Sequence, residues 1–517
     1  MLTPIPHGHI TKKLKHSLII IVGLGVILMG LLSMTAGLVN YNISQTATHS
    51  KVVAAQNLKI LLQSQQKFSL PEKSSYVPHP LDQATVVTVV ARNQPSVIRI
   101  ATIYCADVTL SSKQATANFT DTCSGRVGSG SFISSDGYIA TSGHVVSETS
   151  ATALVESLTT TDLQTRYLSY MVASGLMNIK DADSIKTGMA AKSTDAQTAL
   201  YNSSDLIPPG QVNAGNPTTH YAIQLSKQPI SINKSMNRLE PVYTNTVIKA
   251  DLVDVEFNQA SSDVALTSGQ FSSGDVAILK ATGSFPYITL GNIDSLKVGD
   301  QLTAIGFPTS IDGVDQALTQ SVPSITQGKV TGIRFDSSAN VRKIISTTVP
   351  IGRGNSGGPA LNNVGQEIGI NTYSAIRCAD LNCYGDGQVR DIADLKILIK
   401  KNDITLKTGG IIDDWSRVLT DYTKGNYADA LTYLNKVQDE YPANYLVTSL
   451  LNVTKQQVGS ATDTSTSYQA RGLVMIVLAM LVAALVVTTI VLVGLTTLFT
   501  IHYHVRTTIL EKYKNKA

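Results

Sequence analysis

The sequence predicts a mostly β fold with added helical segments and a membrane-spanning segment near each end. Short runs rich in β-branched residues, broken by Gly, Ser and Asp, recur between residues 81 and 403, as in an all-β sandwich or a pair of barrels. Two uncharged apolar stretches are each long enough to cross a bilayer. Two other stretches, about 147–217 and 413–458, carry helical patterns instead.

Composition limits the classes of protein to which the chain can belong. It has 517 residues, of which 15% are charged and 43% are hydrophobic, so it can bury a sizeable core and is not a disordered chain. The 41 Lys and Arg residues nearly balance the 37 Asp and Glu residues, for a formal net charge of +4. This excess is too small and too scattered for a phosphate-binding surface, and we expect no nucleic-acid partner.

The first apolar segment, residues 17–39, predicts a membrane anchor. It contains 22 consecutive uncharged residues at 18–39, and three lysines precede it, which favours a cytoplasmic position for residues 1–16. A cleaved signal peptide is the alternative, because small residues at 33–37 end the segment. The apolar run exceeds the roughly 7–15 residues usual in a signal peptide, so we interpret it as an anchor.

The second apolar segment, residues 472–500, predicts a transmembrane helix. It has 27 uncharged residues at 473–499, enough to cross a hydrocarbon core of about 30 Å. The tail at 501–517 carries Arg506 and three lysines against a single acid, so we expect it in the cytoplasm. The region between the two spans then lies outside the cytoplasm, attached to the cell membrane at both ends.

The four cysteines agree with a location where disulfides form. Cys105, Cys123, Cys378 and Cys383 all lie between the predicted spans. Three pairings are possible, and short loop closure favours Cys105 with Cys123 and Cys378 with Cys383. A zinc site is the rival interpretation, although these spacings contain no Cys-x-x-Cys pair. We expect neither a metal nor an organic cofactor.

The region between the spans divides into four predicted parts. Residues 40–80 form a stalk that ends in the breaker-rich sequence PEKSSYVPHP. The β-rich domain covers 81–403, and an insertion interrupts it at about 147–250. Residues 413–458 are expected to form a helical hairpin with a weak similarity to a tetratricopeptide repeat, and this hairpin is either a spacer or a site for a protein partner.

Individual elements follow from local patterns within these parts. The predicted strands share β-branched residues and flanking turn residues, and they lie at 96–102, 128–143, 298–308, 329–335 and 367–373. The insertion is rich in Ser, Thr and Ala, and its two predicted helices lie near 162–176 and 181–201. A hairpin turn at 135–137 is expected to lead into a short strand that ends near His144.

Three short motifs carry the chemistry. Ser356 lies in the Gly-rich sequence GRGNSGGPALN, where glycines allow a tight turn whose backbone amides converge on a developing oxyanion. His144 follows a predicted strand, and Asp275 immediately precedes another. A buried Asp can orient an imidazole toward a serine hydroxyl, and the chain order His, Asp, Ser matches the chymotrypsin class. Asp263 is a rival acid, in the superficially similar sequence SSDVALTSG. We favour Asp275, because Asp263 is soon followed by Ser and Gly, whereas the sequence after Asp275 continues as a long matching run to Gly306 in the family considered next.

With these motifs in place, residues 81–403 resemble the protease domain of the HtrA/Deg family. The similarity includes ATVVTVVARNQPSVIRI at 84–100, GNSGGP at 354–359, GINT at 369–372 and a closing helix within 389–403. It implies a chymotrypsin-like fold of two six-stranded β-barrels with the active site between them. It also implies a catalytic triad of His144, Asp275 and Ser356.

The resemblance assigns further residues and leaves one family module out. The backbone amides of Gly354 and Ser356 would form the oxyanion hole, and Ile370, Asn371 and Thr372 would contact substrate. No PDZ-like module follows the protease region, which is succeeded by the helical hairpin and the span. Members of the family commonly form homo-oligomers, so the resemblance also raises a homo-oligomer as a possible state of this protein.

These inferences converge on a serine endopeptidase that is tethered to a membrane and cleaves proteins or peptides outside the cytoplasm. The segment IISTTVPIG before the nucleophile contains no acid, so we expect cleavage after small or medium aliphatic residues rather than after Lys or Arg. The alternative is a catalytically silent chaperone or binding scaffold that keeps the protease fold.

Overall fold

The computed structural model describes residues 83–514 apart from 236–237, 259–273, 295, 309–321, 336–341, 353 and 380–381. The described chain forms two compact units. One unit comprises residues 83–419 and 433–452, and the other comprises residues 420–432 and 453–514. The predicted stalk and the predicted first span, residues 17–39, lie outside the described residues.

The first barrel is closed by six antiparallel strands in the order β1-β2-β3-β8-β7-β4. Its strands are β1 Val97–Ser111, β2 Thr116–Phe132, β3 Tyr138–Thr141, β4 Val212–Gln224, β7 Val247–Glu256 and β8 Val276–Ala281. A separate two-stranded sheet pairs β5 Ile232–Ser235 with β6 Arg238–Pro241. Strand β8 is apolar apart from Lys280 and is almost completely buried, so it anchors the barrel wall.

The second barrel is also closed, in the order β10-β11-β14-β13-β12-β9. Its strands are β9 Gln301–Gly306, β10 Ser324–Phe335, β11 Lys343–Thr347, β12 Pro359–Leu361, β13 Glu367–Ala379 and β14 Asn382–Asp391. The two closed barrels confirm the architecture that the resemblance implied. The predicted strands at 298–308, 329–335 and 367–373 all fall on β9, β10 and β13.

The β1–β2 hairpin extends beyond the barrel and carries a disulfide. Cys105 and Cys123 face each other across the two strands and are bonded, which confirms the first predicted pair. Cys378 and Cys383 are likewise directly opposite on β13 and β14, but their side chains lie outside the described structure. The second predicted bridge therefore stays a prediction.

The insertion contains four helices, where the sequence predicted two. Its helices are α3 Ser150–Glu156, α4 Thr161–Ala173, α5 Ile179–Ala190 and α6 Thr194–Asn202. The helix predicted at 181–201 is wrong as a single element, because Lys192 adopts a left-handed φ of 57° and the Ser193 hydroxyl caps the next helix. The predicted boundary of about 147–250 is also wrong, since β4 and β7 belong to the barrel.

The insertion helices pack on the extended hairpin rather than on the barrel interior. Tyr167, Met171 and Leu154 are buried in one apolar cluster with Leu110 and Phe119 of the hairpin. The length of β1 and β2 thus provides the apolar surface that the inserted helices need in order to be stable.

Three further helices belong to this unit. Helix α1 spans Gln83–Asn93, the short helix α2 spans Gly143–Val146, and the closing helix α7 spans Ile392–Lys401. The Asp391 carboxylate caps α7 by accepting from the Ala393 N–H. Helix α7 covers one side of β8, where Ile392 and Leu395 join a shared apolar cluster. A closing helix within 389–403 is thereby confirmed.

The region predicted as a helical hairpin contains three helices. They are α8 Gly410–Lys424, α9 Tyr427–Glu440 and α10 Tyr445–Gln457. Gly425, with a φ of 82°, separates the first two. Trp415 donates its indole N–H to the Ala91 carbonyl at 2.8 Å, and Asn444 donates to the Pro95 carbonyl at 3.5 Å. These contacts join the helices to the start of the first barrel.

The second unit ends in the longest helix of the described chain. Helix α11 spans Thr466–Lys514, and an 18-residue window within 472–514 has a mean hydropathy of 3.1 and contains no buried residue. Length and composition make it the one candidate for a membrane span within residues 83–514. Just before it, Asp463 and Ser465 accept from the N–H groups of Tyr427 and Ala428 and cap α9.

Candidate active site

His144 and Asp275 meet within the first barrel. The turn at 135–137 leads into β3, as predicted, and His144 follows in α2. Asp275 immediately precedes β8, which pairs with β3. His144 Nδ1 lies 3.0 Å from Asp275 Oδ2, and the His144 backbone N–H donates to Asp275 Oδ1 at 2.9 Å. The carboxylate therefore fixes both the imidazole and the backbone that carries it.

The Asp275 carboxylate is enclosed but well supplied with donors. Thr372 on β13 donates its hydroxyl to Asp275 Oδ2, so the second barrel also contributes to this group. Burial alone would raise the pKa of Asp275, but the charge of His144 and the hydrogen bonds from His144 and Thr372 outweigh it and hold the pKa below its ordinary value. Asp275 is thus an ionised acceptor at neutral pH.

Asp275 is the acid in contact with His144. The backbone of Asp275 has a φ of 47°, a left-handed conformation that non-glycine residues adopt only where the surroundings hold it. The rival Asp263 lies within the undescribed segment 259–273. The Phe257 ring lies tilted to the His144 imidazole, with 6.2 Å between the ring centroids.

Ser356 lies on the tight turn that the glycine-rich sequence predicts. Gly354 and Gly357 have φ values of 86° and 87°, which other residues rarely adopt. A Cβ at Gly357 would lie 2.1 Å from the Ser129 carbonyl oxygen. Glycine at this position therefore serves both the turn and its close approach to β2.

Ser129 on β2 holds the turn in place. Its backbone N–H donates to the Ser356 carbonyl at 2.8 Å, and its hydroxyl donates to the Gly354 carbonyl at 2.7 Å. The same hydroxyl accepts from the Phe307 N–H at 2.8 Å. No motif in the sequence marks Ser129 for this role, because its partners are more than 170 residues away. The only local signal was the position of Ser129 in the Gly-rich sequence GSGS at 128–131, upstream of His144.

The expected oxyanion amides belong to this turn. Ser129 and the Asn371 carbonyl fix its backbone, the latter by accepting from the Gly357 N–H at 2.7 Å. In the part of the chain that the structure describes, no backbone carbonyl accepts from the N–H of Gly354 or of Ser356. Two such amides on one tight turn are what an oxyanion site requires.

Thr372 connects the acid to the nucleophile. The Ser356 hydroxyl donates to the Thr372 carbonyl at 2.6 Å, while the Thr372 side chain donates to Asp275. His144, Asp275, Thr372 and Ser356 thus form one connected group drawn from both barrels. Because a hydroxyl has one proton, Ser356 does not donate to His144 in this arrangement.

The three residues expected to contact substrate have different surroundings. Ile370 is completely buried in the apolar cluster with Val276 and Ile392, so its side chain packs in the core and does not line the site. Asn371 is also fully buried, and its amide donates to the Pro359 carbonyl. Of the three, Thr372 alone reaches the reactive groups, and it does so through both its hydroxyl and its carbonyl.

Fold and site together define a double-barrel protein of the trypsin-like class. A family model described as a trypsin-like peptidase domain matches residues 224–370, which include Asp275 and Ser356 and leave His144 outside the matched segment. The fold, the chain order of the site residues and this match agree with one another.

Several curated relatives are periplasmic proteases. A "probable periplasmic serine endoprotease DegP-like" protein of Pseudomonas fluorescens is 29% identical over 211 residues, which cover 38% of this chain and 40% of the relative. Serine endoprotease DegS of Salmonella typhimurium is 32% identical over 191 residues, or 35% and 51%. A DegP-like protein of Ectopseudomonas mendocina is 37% identical over 134 residues, or 25% and 26%.

This chain therefore carries a trypsin-like peptidase domain whose homologues are the DegP and DegS proteases of the HtrA family. The resemblance inferred from the motifs is confirmed at this level. The matches span about half the length of these relatives or less.

Proposed function

We propose that this protein is a serine endopeptidase in which His144, Asp275 and Ser356 act as a catalytic triad. The observation that supports this most strongly is the connected group at the barrel junction. His144 Nδ1 lies 3.0 Å from an ionised, buried Asp275, and Thr372 joins that carboxylate to the hydroxyl of Ser356. The trypsin-like match and the DegP and DegS relatives support the same reaction class.

Catalysis begins with a rotation of the Ser356 side chain. The hydroxyl leaves the Thr372 carbonyl and turns about the Cα–Cβ bond toward His144 Nε2, which takes its proton as the oxygen attacks the peptide carbonyl. Asp275 holds the Nδ1 proton and stabilises the imidazolium. The N–H groups of Gly354 and Ser356 stabilise the anionic oxygen of the tetrahedral intermediate.

The second half of the reaction uses the same groups in reverse. The intermediate collapses, the peptide C–N bond breaks, and His144 gives its proton to the leaving amine. Water then attacks the Ser356 ester with His144 as the base, which releases the carboxylic acid product and restores the serine hydroxyl. Each proton that moves is accounted for by the protein's own side chains and water.

The substrates are proteins or peptides outside the cytoplasm and close to a membrane. Helix α11 supplies an apolar segment long enough to tether the enzyme, and the Cys105–Cys123 bond fits an oxidising compartment. Relatives with periplasmic names agree with that placement. We propose that the tail after the span faces the cytoplasm and that residues 17–39 form a second anchor, as their sequences predict.

A fluorophosphonate probe tests the enzymatic proposal. Such probes react with a serine that is activated by a neighbouring base, so we expect them to label the full-length protein in detergent and not its Ser356→Ala variant. Asp275→Asn should also reduce labelling strongly, because the amide would favour the wrong imidazole tautomer. Folded wild-type protein that takes up no label would contradict the proposal.

A catalytically silent binding protein is the second candidate. The observation in its favour is the hydrogen bond from Ser356 to the Thr372 carbonyl, which directs the hydroxyl away from its base. Binding of an unfolded protein with equal affinity by wild type and Ser356→Ala, without any cleavage by wild type, would favour this candidate over the enzyme.

A further inference from the structure

Arg342 links both barrels and the closing helix through charged contacts. It immediately precedes β11 of the second barrel, and its side chain is only 14% exposed. Its guanidinium contacts Glu256 at the end of β7 in the first barrel. Nη1 of the same side chain lies 3.2 Å from Asp394 on α7. A planar guanidinium can serve two carboxylates at once in fixed geometry, which is the arrangement seen here.

The Arg342–Glu256 pair lies directly against the backbone that leads into Asp275. A Cβ at Gly274 would be 2.9 Å from Arg342 Nη1 and 2.9 Å from Glu256 Oε2. Glu256 is also opposite Val276 in the β7–β8 pairing. The residues on both sides of Asp275 are therefore held, one by the packing of an ion pair and the other by the strand.

The Arg342–Glu256 pair supports the chain next to a residue, Asp275, whose backbone conformation is strained. Asp275 has a φ of 47°, a left-handed conformation that a non-glycine residue keeps only where its surroundings hold it. The carboxylate must also meet His144 from the first barrel and Thr372 from the second. A small shift of one barrel against the other would therefore first disturb the hydrogen bonds that Asp275 makes with His144 and Thr372.

Helix α7 strengthens the same region from a second point. Lys401 Nζ lies 2.8 Å from Asp254 Oδ2, and Asn402 donates to the same oxygen at 2.7 Å. Asp254 is two residues before Glu256 on β7. The end of β7 is thus tied to α7 directly at Asp254, and through Arg342 and Asp394 at Glu256.

We propose that Arg342 is a positioning residue: by holding Glu256 against Gly274, it maintains the backbone of Asp275 and thereby the hydrogen bonds between Asp275 and His144. Arg342 does not touch the reacting groups, and it acts through two intermediate residues. The inference rests on the proposed function where it concerns turnover, and on the observed His144–Asp275 contact alone where it concerns structure.

The experiment compares Arg342→Met with Arg334→Met in the full-length protein. Arg334 lies on β10 of the same barrel and is exposed, so it controls for loss of an arginine. We expect Arg342→Met to lower kcat for a peptide substrate by about 10- to 100-fold with little change in KM, as for a small misplacement of a catalytic group. Arg342→Lys should recover part of the loss, because lysine can reach one carboxylate but not both.

A second measurement reports on the contact without any need for turnover. The proton shared by His144 Nδ1 and Asp275 gives a far-downfield ¹H NMR resonance, which His144→Ala identifies. We expect Arg342→Met to shift or broaden this resonance and Arg334→Met to leave it unchanged. If Arg342→Met does not fold, Glu256→Gln preserves the side-chain shape while removing the ion pair, and the same results are expected of it.

The outcomes are distinguishable. Wild-type protein that neither cleaves peptide nor takes up a fluorophosphonate would reject the proposed function, while the resonance would still test the role of Arg342. An unchanged resonance in folded Arg342→Met would overturn the inference, whatever happens to kcat. A rise in KM alone would also overturn it, because it would place Arg342 in substrate binding.

Discussion

The Asp275 carboxylate is buried, yet three donors serve it: the backbone and imidazole of His144 and the hydroxyl of Thr372. Each donor comes from a segment distant in sequence. This arrangement keeps a charged group in the interior, where an ionised carboxylate without partners would be strongly destabilising. Thr372 is the contribution of the second barrel, so its hydroxyl can be tested separately from the histidine.

Replacing Thr372 by valine should show how much that hydroxyl contributes to the free energy of unfolding. Valine preserves the side-chain shape but leaves buried Asp275 one donor short, so we expect the free energy of unfolding at pH 7 to fall by about 1.5–3 kcal/mol. Thr372→Ser, which keeps the hydroxyl, is the matched control and should lose less. Urea denaturation measures both, and equal losses for the two variants would contradict this role.

A second buried carboxyl, Glu367 on β13, predicts an unusual pH dependence. It is fully buried, it accepts from the Ser131 hydroxyl at 2.8 Å, and its Oε1 has no hydrogen-bond partner among the described residues. Burial raises its pKa from 4.5 to about 8, against a smaller lowering by Ser131. The folded protein therefore keeps this carboxyl protonated over a pH range in which the unfolded chain ionises it.

The sign of the effect follows from that difference. Between pH 4.5 and about 8, this one group should lower the free energy of unfolding by roughly 1.4 kcal/mol per pH unit as pH rises. Glu367→Gln removes the titration, so we expect the variant to gain stability over wild type as pH increases through this range. Chemical denaturation at pH 5 and pH 8 measures it, and a constant difference between the two proteins would reject the assignment.

At the scale of elements, the long β1–β2 hairpin has two tasks. Its inner part belongs to the first barrel, and its outer part provides the apolar surface on which the insertion helices pack. The Cys105–Cys123 bond joins the two strands between these parts. Strand β4 also pairs with β1 along this outer part, up to Leu110. We infer that the disulfide keeps β1 and β2 of the outer hairpin paired.

Reduction of that disulfide should cost stability without removing the fold. The bond closes a loop of 18 residues in sequence, for which the chain-entropy model gives about 3 kcal/mol. A protein with Cys378→Ser and Cys383→Ser isolates the effect, because its remaining cysteines are this pair alone. We expect its free energy of unfolding to fall by that amount under reducing conditions, and unchanged stability would show that the hairpin needs no bond.

At the scale of the whole molecule, the described chain combines two closed β-barrels with a helix of 49 residues that has no buried residues along its apolar segment. Contiguous apolar surface of this size is not found on soluble monomers, because its exposure to water is unfavourable. A bilayer is the environment that matches its length and composition. A tether of this kind would limit the proposed protease to substrates that approach the membrane.

A charge at the centre of the span tests this assignment. Leu485→Arg places a guanidinium near the middle of the apolar segment, at a cost of about 2.5–3.5 kcal/mol for insertion. The test uses proteins that lack residues 17–39, so that the proposed first anchor cannot retain them. In that background we expect alkaline carbonate to release a larger fraction of Leu485→Arg than of the protein without this substitution. Leu510→Arg, on the same helix beyond the apolar segment, is the control, and equal release of the two variants would contradict the span.

The fold class and most of the candidate site could be predicted because their signals are local. The GNSGGP turn, the strand before His144 and the apolar run after Asp275 each depend on neighbouring residues, and their order along the chain identified the class. The disulfide between Cys105 and Cys123 was predicted for the same reason, since a short loop joins them. The split of the 181–201 helix was missed because a lysine at a left-handed position has no sequence signature.

The sequence by itself determined the chemical groups, their order, the apolar segments and the class of barrel protein. Only the tertiary structure decided which groups meet: Thr372 joins Asp275 to Ser356, Ser129 holds the nucleophile turn, and Ile370 turns away into the core. The physical reason is that the decisive contacts cross between barrels: Thr372 and Asp275 are 97 residues apart, and Ser129 and Gly354 are 225 residues apart. Packing brings such partners together. Local propensity carries no information about such distances.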